Sequence, residues 1–277
     1  MKILVIGASG LLAKPVIKHF DQNGFELRLF SRSVNESMFP GKNYEFFQGD
    51  VFNRNDLEKA LKGCDAVHFS IGRLKEGEAV KTVLSVVNRD AVKLISYVSG
   101  ASVKAENTWF PMVKEKFEAE QALINSGIPY VIFRPTWFME SLPLFVRNGK
   151  AGIIGKQFNP MSIIAADDFA RMLVNAYKTK EAQSKVYYIY GPEKFTLKES
   201  LEIYCNAIHP EIKKVSVIPT GMLKFIGFVT RNKELREVAS MFKYFETTKE
   251  VGSPDEANHI LGKPEITLTN WIKSLKS

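Results

Sequence analysis

Cysteine is scarce in this chain. Two residues, Cys64 and Cys205, in 277 exclude a disulfide framework and point to a reducing, cytoplasmic setting. Four histidines, His19, His68, His209 and His259, are scattered with no pair at helical metal spacing, and neither cysteine sits in a CxxC, so no metal site is expected. Nowhere do about eighteen apolar residues run together, and residues 1–10 carry no basic region leading into a long apolar stretch. Neither export nor membrane insertion is expected, and no membrane partner. The absence of GxSxG removes the common α/β-hydrolase reading. A basic tail or block is also missing. The net charge of +8 divides evenly: residues 1–150 carry 20 Lys and Arg against 16 Asp and Glu (+4), and residues 151–277 carry 18 against 14 (+4). Charge spread in this way argues against nucleic acid as the main partner.

What is present suits a globular enzyme. Hydrophobic residues make up 45% of the chain and charged ones 25%, and the length accommodates one large α/β domain or a domain with a smaller appendage. Strand-length apolar runs occur at Ile3–Ile6, Glu26–Phe30, Tyr44–Phe47, Ala66–Ser70, Leu94–Ser99 and Tyr130–Phe133, separated by helix-period stretches at Leu11–Asn23, Asn55–Leu61, Ala79–Asn88 and Lys114–Asn125. That alternation predicts a doubly wound parallel sheet with helices on both faces. Two of the helices end in "QNG" and "NSG", a glycine where a left-handed cap belongs. Beyond Arg134-Pro135 the pattern loosens into helices at Ala166–Tyr177, Leu197–Ile208, Met222–Thr230 and Lys233–Phe245, strands "KVYYIYG" and "VSVIP", and a closing "LGKPEITLTNWIKSL" read as a terminal helix. We divide the chain into residues 1–150 and a smaller, partly interleaved α/β lobe, 151–277.

Between the first strand and first helix stands "GASGLLA". Gly7 permits a tight turn, Gly10 a close backbone approach and Ala13 close helix packing, a Gly-x-x-Gly-x-x-Ala variant of the dinucleotide fingerprint. Gly7, Ser9, Gly10, Leu11 and Leu12 are the candidate pyrophosphate contacts; a plain strand-to-helix turn is the alternative. The second strand ends in "LFSRS". An acidic residue there would accept from the ribose 2′-hydroxyl of NAD, whereas Ser31 and Arg32 favour the 2′-phosphate of NADP(H) over NAD(H). Arg32 as an ordinary surface arginine is the competing explanation.

In order, "GASGLLA", "LFSRS", "QGDV", "YVSG" and "KFEAEQALINSGIPYVIFRPTWFMES" resemble the atypical short-chain dehydrogenase/reductases, especially the NmrA-like group of NADP-binding Rossmann proteins. The resemblance covers most of the chain. It implies a Rossmann fold with a small C-terminal substrate lobe, and it implies roles for further residues. Asp50 and Val51 would bracket the adenine, unless Asp50 only caps a helix. Ser70, Ile71 and Gly72 would lie under the central phosphate and ribose, unless the strand simply stops there. Pro135, Trp137 and Phe138 would line the nicotinamide end, although aromatics after a strand are as often core.

The family's Tyr-x-x-x-Lys pair is incomplete. Lys116 is the lysine, and four residues earlier stands Met112; no tyrosine occurs between Tyr97 and Tyr130. Ser99 is the hydroxyl offered by "YVSG". Lys116 is the candidate catalytic group and ribose contact, set against a solvated lysine on a charged helix face. Reactions that need a strong proton donor beside the nicotinamide are therefore disfavoured. Hydride acceptors that need little acid help, such as quinones, azo compounds or conjugated double bonds, are favoured, with a small apolar or aromatic substrate. "WFMESLPLFV" and the "GMLKFIGFV" after Pro219 are read as pocket roof or as packing surface. The alternative is a noncatalytic NADP(H)-binding redox sensor of the NmrA-like type, with a regulatory protein partner.

Overall fold

The apolar runs become strands and the period-3.6 stretches become helices in the computed structural model, which describes residues 1–72 and 75–276. The strands are β1 (Lys2–Ile6), β2 (Glu26–Ser31), β3 (Glu45–Gln48), β4 (Ala66–Phe69), β5 (Leu94–Val98), β6 (Tyr130–Pro135), β7 (Val146–Arg147), β8 (Lys150–Ile154), β9 (Lys185–Ile189) and β10 (Val215–Ile218). The helices are α1 (Ala13–Gln22), α2 (Arg54–Leu61), α3 (Glu76–Val86), α4 (Pro111–Ile124), α5 (Ala166–Lys178), α6 (Leu197–Ile208), α7 (Thr220–Val229), α8 (Lys233–Thr247), α9 (Asp255–Leu261) and α10 (Leu268–Ser274). Two compact units result. Unit 1 comprises Met1–Pro135, Ala166–Ile189 and Gly252–Lys263; unit 2 comprises Thr136–Ala165, Tyr190–Val251 and Pro264–Ser277.

Unit 1 holds a seven-stranded sheet in the order β3-β2-β1-β4-β5-β6-β9, and every neighbouring pair runs parallel. Strands buried on both faces need apolar residues at successive positions rather than alternate ones, which is what "KILVI" and "LISYV" supply. On one face Leu4, Ile6, Val67, Phe69, Ile95 and Tyr97 pack against Leu57 and Leu61 of α2, Val80 and Val83 of α3, and Leu123 of α4. Facing the other way, Phe20 of α1 meets Tyr177 of α5 edge-on, and Phe133 of β6 meets Phe169 of α5. The strand order reverses on either side of β1. Ligands of such sheets bind outside the carboxyl ends of the strands at that reversal.

On the α1 and α5 face, His68 is fully buried, its Nδ1 2.8 Å from Ser96 Oγ, which in turn lies 2.7 Å from the Tyr177 hydroxyl. Its Nε2 has no partner among the described residues. Burial pulls its pKa from 6.5 down to about 3. The native state therefore keeps His68 neutral while the unfolded chain takes up a proton. Stability should be undiminished above pH 6.5 and fall as the pH drops toward about 3, by roughly 1.4 kcal/mol per pH unit from this group. Urea unfolding at about pH 7 and pH 4.5 checks this: His68→Gln should lose less stability between the two than the parent, by up to roughly 3 kcal/mol.

Unit 2 carries a small sheet ordered β10-β8-β7, with β8 parallel to β10 and antiparallel to β7. Its core gathers Met139, Leu142, Ile153, Leu201, Tyr204, Phe242 and Trp271. The start of α6 is set by a capping box, in which Thr196 accepts from the Glu199 amide and the Glu199 side chain reaches back. The closing "LGKPEITLTNWIKSL" is helical only in its second half. Gly262, at φ +86°, ends α9, and α10 begins after Thr267, whose hydroxyl caps it. No helix among the described residues is long and apolar enough to cross a membrane.

Candidate functional site

Gly7 closes β1 with φ +93°, a conformation that costs a side-chain-bearing residue dearly. Space is the second constraint. A Cβ on Gly7 would stand 2.2 Å from the carbonyl oxygen of Ser70, at the end of β4. The amides of Gly7 and Ala8 donate to Phe30 O at 3.0 and 3.3 Å, and Gly10 donates to Gly7 O at 2.9 Å. These bonds roll the chain into a turn that delivers it to α1. That helix starts at Ala13 without a side-chain cap and without an acidic residue in its first turn. Among the described residues the amides of Ser9, Leu11 and Leu12 find no acceptor. Unpartnered N–H groups at a helix's positive end are an anion site, so the turn fits a phosphate group.

Next along the strand tips come Ser31 and Arg32. The Ser31 hydroxyl accepts from the amides of Ser33 and Val34 at 3.3 and 2.9 Å and so shapes the loop. Ser33 Oγ, a residue the sequence reading missed, lies 3.3 Å from Ser9 Oγ, tying this loop to the glycine turn. Arg32 is exposed and has no carboxylate partner among the described residues. It is a free cation beside a cluster of hydroxyls. After β3, Asp50 is exposed while Val51 is buried in the core. The Asp50 carboxylate accepts from the Phe52 amide at 3.0 Å. Ser70, Ile71 and Gly72 follow β4, Ile71 packing on the core and Gly72 facing open space. Gly7 through Leu12, Ser31, Arg32, Asp50, Val51 and Ser70–Gly72 thus share the carboxyl edge of one sheet.

Ser99 and Lys116 belong to that edge too, and both are engaged. Lys116 Nζ lies 2.9 Å from Glu76 Oε2 and 3.3 Å from Val98 O, and 5.6 Å from the centre of the Tyr97 ring. Glu76, at the start of α3, is 2% exposed, and its carboxylate also accepts from the Tyr97 hydroxyl. Burial, with Glu76 adding to it, pushes the Tyr97 phenol well above its ordinary value. The one tyrosine beside Lys116 therefore stays protonated, beneath it rather than at Met112. Ser99 Oγ donates to Glu120 Oε1 at 2.5 Å, and Glu120 in turn holds Arg134 through both oxygens, at 2.9 and 2.5 Å. Arg134 also donates to the Tyr188 hydroxyl at 2.7 Å. Burial works against the charge on Arg134, but its bonds to Glu120 outweigh that, and its pKa sits above the usual value.

Pro135 ends β6 and is buried in unit 1, whereas Trp137 and Phe138 belong to unit 2. The Trp137 ring sits among Phe145, Phe242 and Phe245 at 5.4–6.2 Å between centroids, and the Phe138 backbone bridges to Ile164. Glu76, Tyr97 and Glu120 went unnoticed in the sequence. Glu76 and Glu120 stand in charged stretches that look solvated and Tyr97 in an apolar strand, and the partners that justify their burial lie 14 to 40 positions away. No sequence-local signal marks such pairs.

Comparison with known proteins agrees with this geometry. A family model described as NAD(P)H-binding matches residues 7–180. Among curated proteins, the chain is 23% identical over 249 residues to the photosystem II assembly factor Ycf39 of Trieres chinensis, covering 82% of this chain and 75% of that one. It is 26% identical over 200 residues to the (4-alkanoyl-5-oxo-2,5-dihydrofuran-3-yl)methyl phosphate reductase of Streptomyces griseus, covering 71% and 70%. Among solved structures, the NADPH-dependent quinone oxidoreductase of Escherichia coli complexed with NADPH superposes with a TM-score of 0.75 over the whole of both chains, at 19% identity.

Proposed function

The chain belongs to the NAD(P)H-binding family, and from that premise we propose that it is an NADPH-dependent reductase of a small apolar acceptor that needs little acid help: quinone-like, azo or conjugated. One observation carries this reading, namely the glycine turn with its unpartnered amides and the free guanidinium of Arg32 alongside. Gly7, Ser9, Gly10, Leu11 and Leu12 hold the pyrophosphate, Ser31 and Arg32 the 2′-phosphate, Asp50 and Val51 the adenine, and Ser70, Ile71 and Gly72 the central phosphate and ribose. Ser99 and Lys116 take the ribose hydroxyls near the nicotinamide, with Pro135, Trp137 and Phe138 toward its ring. When bound, NADPH supplies a hydride. The reduced acceptor takes its proton from water or from Lys116 Nζ, which Glu76 keeps in place. The reductase names of the relative and of the solved structure support this acceptor class.

Arg32 offers a direct test of cofactor choice. Removing a charge-assisted contact to a phosphate costs roughly 1.5–3 kcal/mol, so Arg32→Ala should weaken NADPH binding about tenfold or more and leave NADH nearly unchanged. Isothermal titration with both nucleotides measures it. Equal losses for the two would remove Arg32 from the 2′-phosphate.

A second reading rests on how tightly the catalytic candidates are held. Ser99 and Lys116 each engage a buried carboxylate, which suits a protein that binds NADPH and reports its presence to a partner. NADPH consumption with a panel of quinones and azo dyes separates the two: turnover that falls with Trp137→Ala supports the enzyme, and tight binding with no turnover and a co-purifying protein supports the sensor.

A further inference from the structure

A helix normally turns its apolar stripe inward. In α7 the stripe faces out. Met222, Phe225, Ile226 and Val229, spaced i, i+3, i+4 and i+7, are 54%, 67%, 40% and 63% exposed, and Phe228 beside them is 71% exposed. Only Gly227 is buried. A Cβ there would come within 2.9 Å of the Arg236 side chain and 3.1 Å of its amide, so the bare glycine lets α7 lie close on α8. That attachment leaves the stripe open. Val217 and Ile218 of β10, at 40% and 39%, are likewise exposed.

Cations predominate around the stripe, although Glu211 precedes them and Glu234 and Glu237 follow on α8, Glu237 pairing with Lys233. From Ile212 to Lys233 the chain carries Lys213, Lys214, Lys224, Arg231 and Lys233 and no Asp or Glu. All five cations are exposed, and Lys214, Lys224 and Arg231 have no carboxylate partner among the described residues. The even spread of charge between the two halves of the sequence conceals this cluster. A ring-bearing apolar stripe bordered by cations is the pattern of a helix that lies in the interface of an anionic bilayer. A second copy of this chain fits poorly: a two-fold contact sets the same patch against itself, and here that brings cation to cation. We propose that α7 and the tip of β10 dock this protein on an anionic lipid surface, the rings of Phe225 and Phe228 entering the acyl boundary while Lys214, Lys224 and Arg231 meet the headgroups. That no helix among the described residues is long and apolar enough to cross a bilayer is compatible with lying on one.

Co-sedimentation of the full chain with phosphatidylcholine vesicles, with and without phosphatidylglycerol, tests this. Binding is expected only where phosphatidylglycerol is present and should weaken with salt. Lys224→Gln and Arg231→Gln should each weaken it roughly fivefold, and Phe225→Ser with Phe228→Ser at least about tenfold. Unchanged melting and NADPH binding would show that these variants are folded. Equal sedimentation with neutral and anionic vesicles, or no effect of the phenylalanine changes, would overturn the proposal. So would a wild-type dimer that the double variant converts to a monomer without vesicle binding, since the stripe then seats a second copy. Loss of acceptor turnover in the double variant with vesicle binding intact would likewise overturn it and make α7 part of an acceptor pocket.

Discussion

Gly7→Val should abolish NADPH binding, with an affinity loss beyond about a hundredfold, and should lower the melting temperature as well. Two independent costs combine at this position. The backbone at φ +93° opposes any β-branched residue by roughly 1–3 kcal/mol. The added carbon, 2.2 Å from Ser70 O, must also push β1 away from the tip of β4 or rotate the turn. Either movement spoils the alignment of the Ser9, Leu11 and Leu12 amides. Gly10→Ala is the milder comparison: its Cβ would lie 3.1 Å from Gly7 O and meet no positive φ, so it should fold normally and bind NADPH more weakly. Titration of both variants by quenching of protein fluorescence, alongside thermal melts, gives the answer. Full-strength NADPH binding by a folded Gly7→Val chain would remove the glycine turn from the cofactor site.

The second large effect concerns Lys116. Removing one partner of a buried ion pair leaves an uncompensated charge and costs about 3–5 kcal/mol. Lys116→Met strands the Glu76 carboxylate, which is 2% exposed and left, among the described residues, with the Tyr97 hydroxyl as its remaining partner. A large drop in stability is therefore expected from a substitution ordinarily made to test catalysis. Adding Glu76→Gln removes the stranded charge while keeping an acceptor for Tyr97, and should recover most of the loss. Urea midpoints of the parent, both single variants and the double variant measure the coupling. If Lys116 serves the reaction, turnover stays low in the stabilised double variant. If activity returns with stability, Lys116 is a structural residue.

These two predictions draw on features of unequal visibility. The strands of the sheet were legible because a strand buried on both faces must be apolar throughout, and "KILVI" or "LISYV" has no other plausible home. Gly24 and Gly127 were legible as helix ends, and they adopt φ of +76° and +75°. The start of α3 was not. Periodicity opens it at Ala79, but the helix begins at Glu76, because "EGE" looks solvated until Lys116 and Tyr97 arrive from distant strands and helices to satisfy the carboxylate. The start of α4 at Pro111 rather than Lys114 follows from proline's fitness for a first helical turn. The terminal segment misled because "PEITLTNWI" is apolar at helical spacing, while Gly262 and Pro264 hold its first half out of a helix. In the site, backbone-built parts were readable from glycines and tip residues, and parts built from long-range charge pairs were not.

The last strand of the large sheet has a bearing on how the chain matures. β6 ends at Pro135, yet its outer neighbour β9 starts at Lys185, and the two align from Val131 opposite Lys185 to Pro135 opposite Ile189. During synthesis, the ladder edge of β6 stays unsatisfied until some fifty further residues have been added. Pairings between such remote segments form slowly, and a bare parallel edge invites another chain to join it. Fragments that stop between β6 and β9 should consequently be prone to intermolecular association, and the nascent polypeptide is most dependent on holding factors over that stretch.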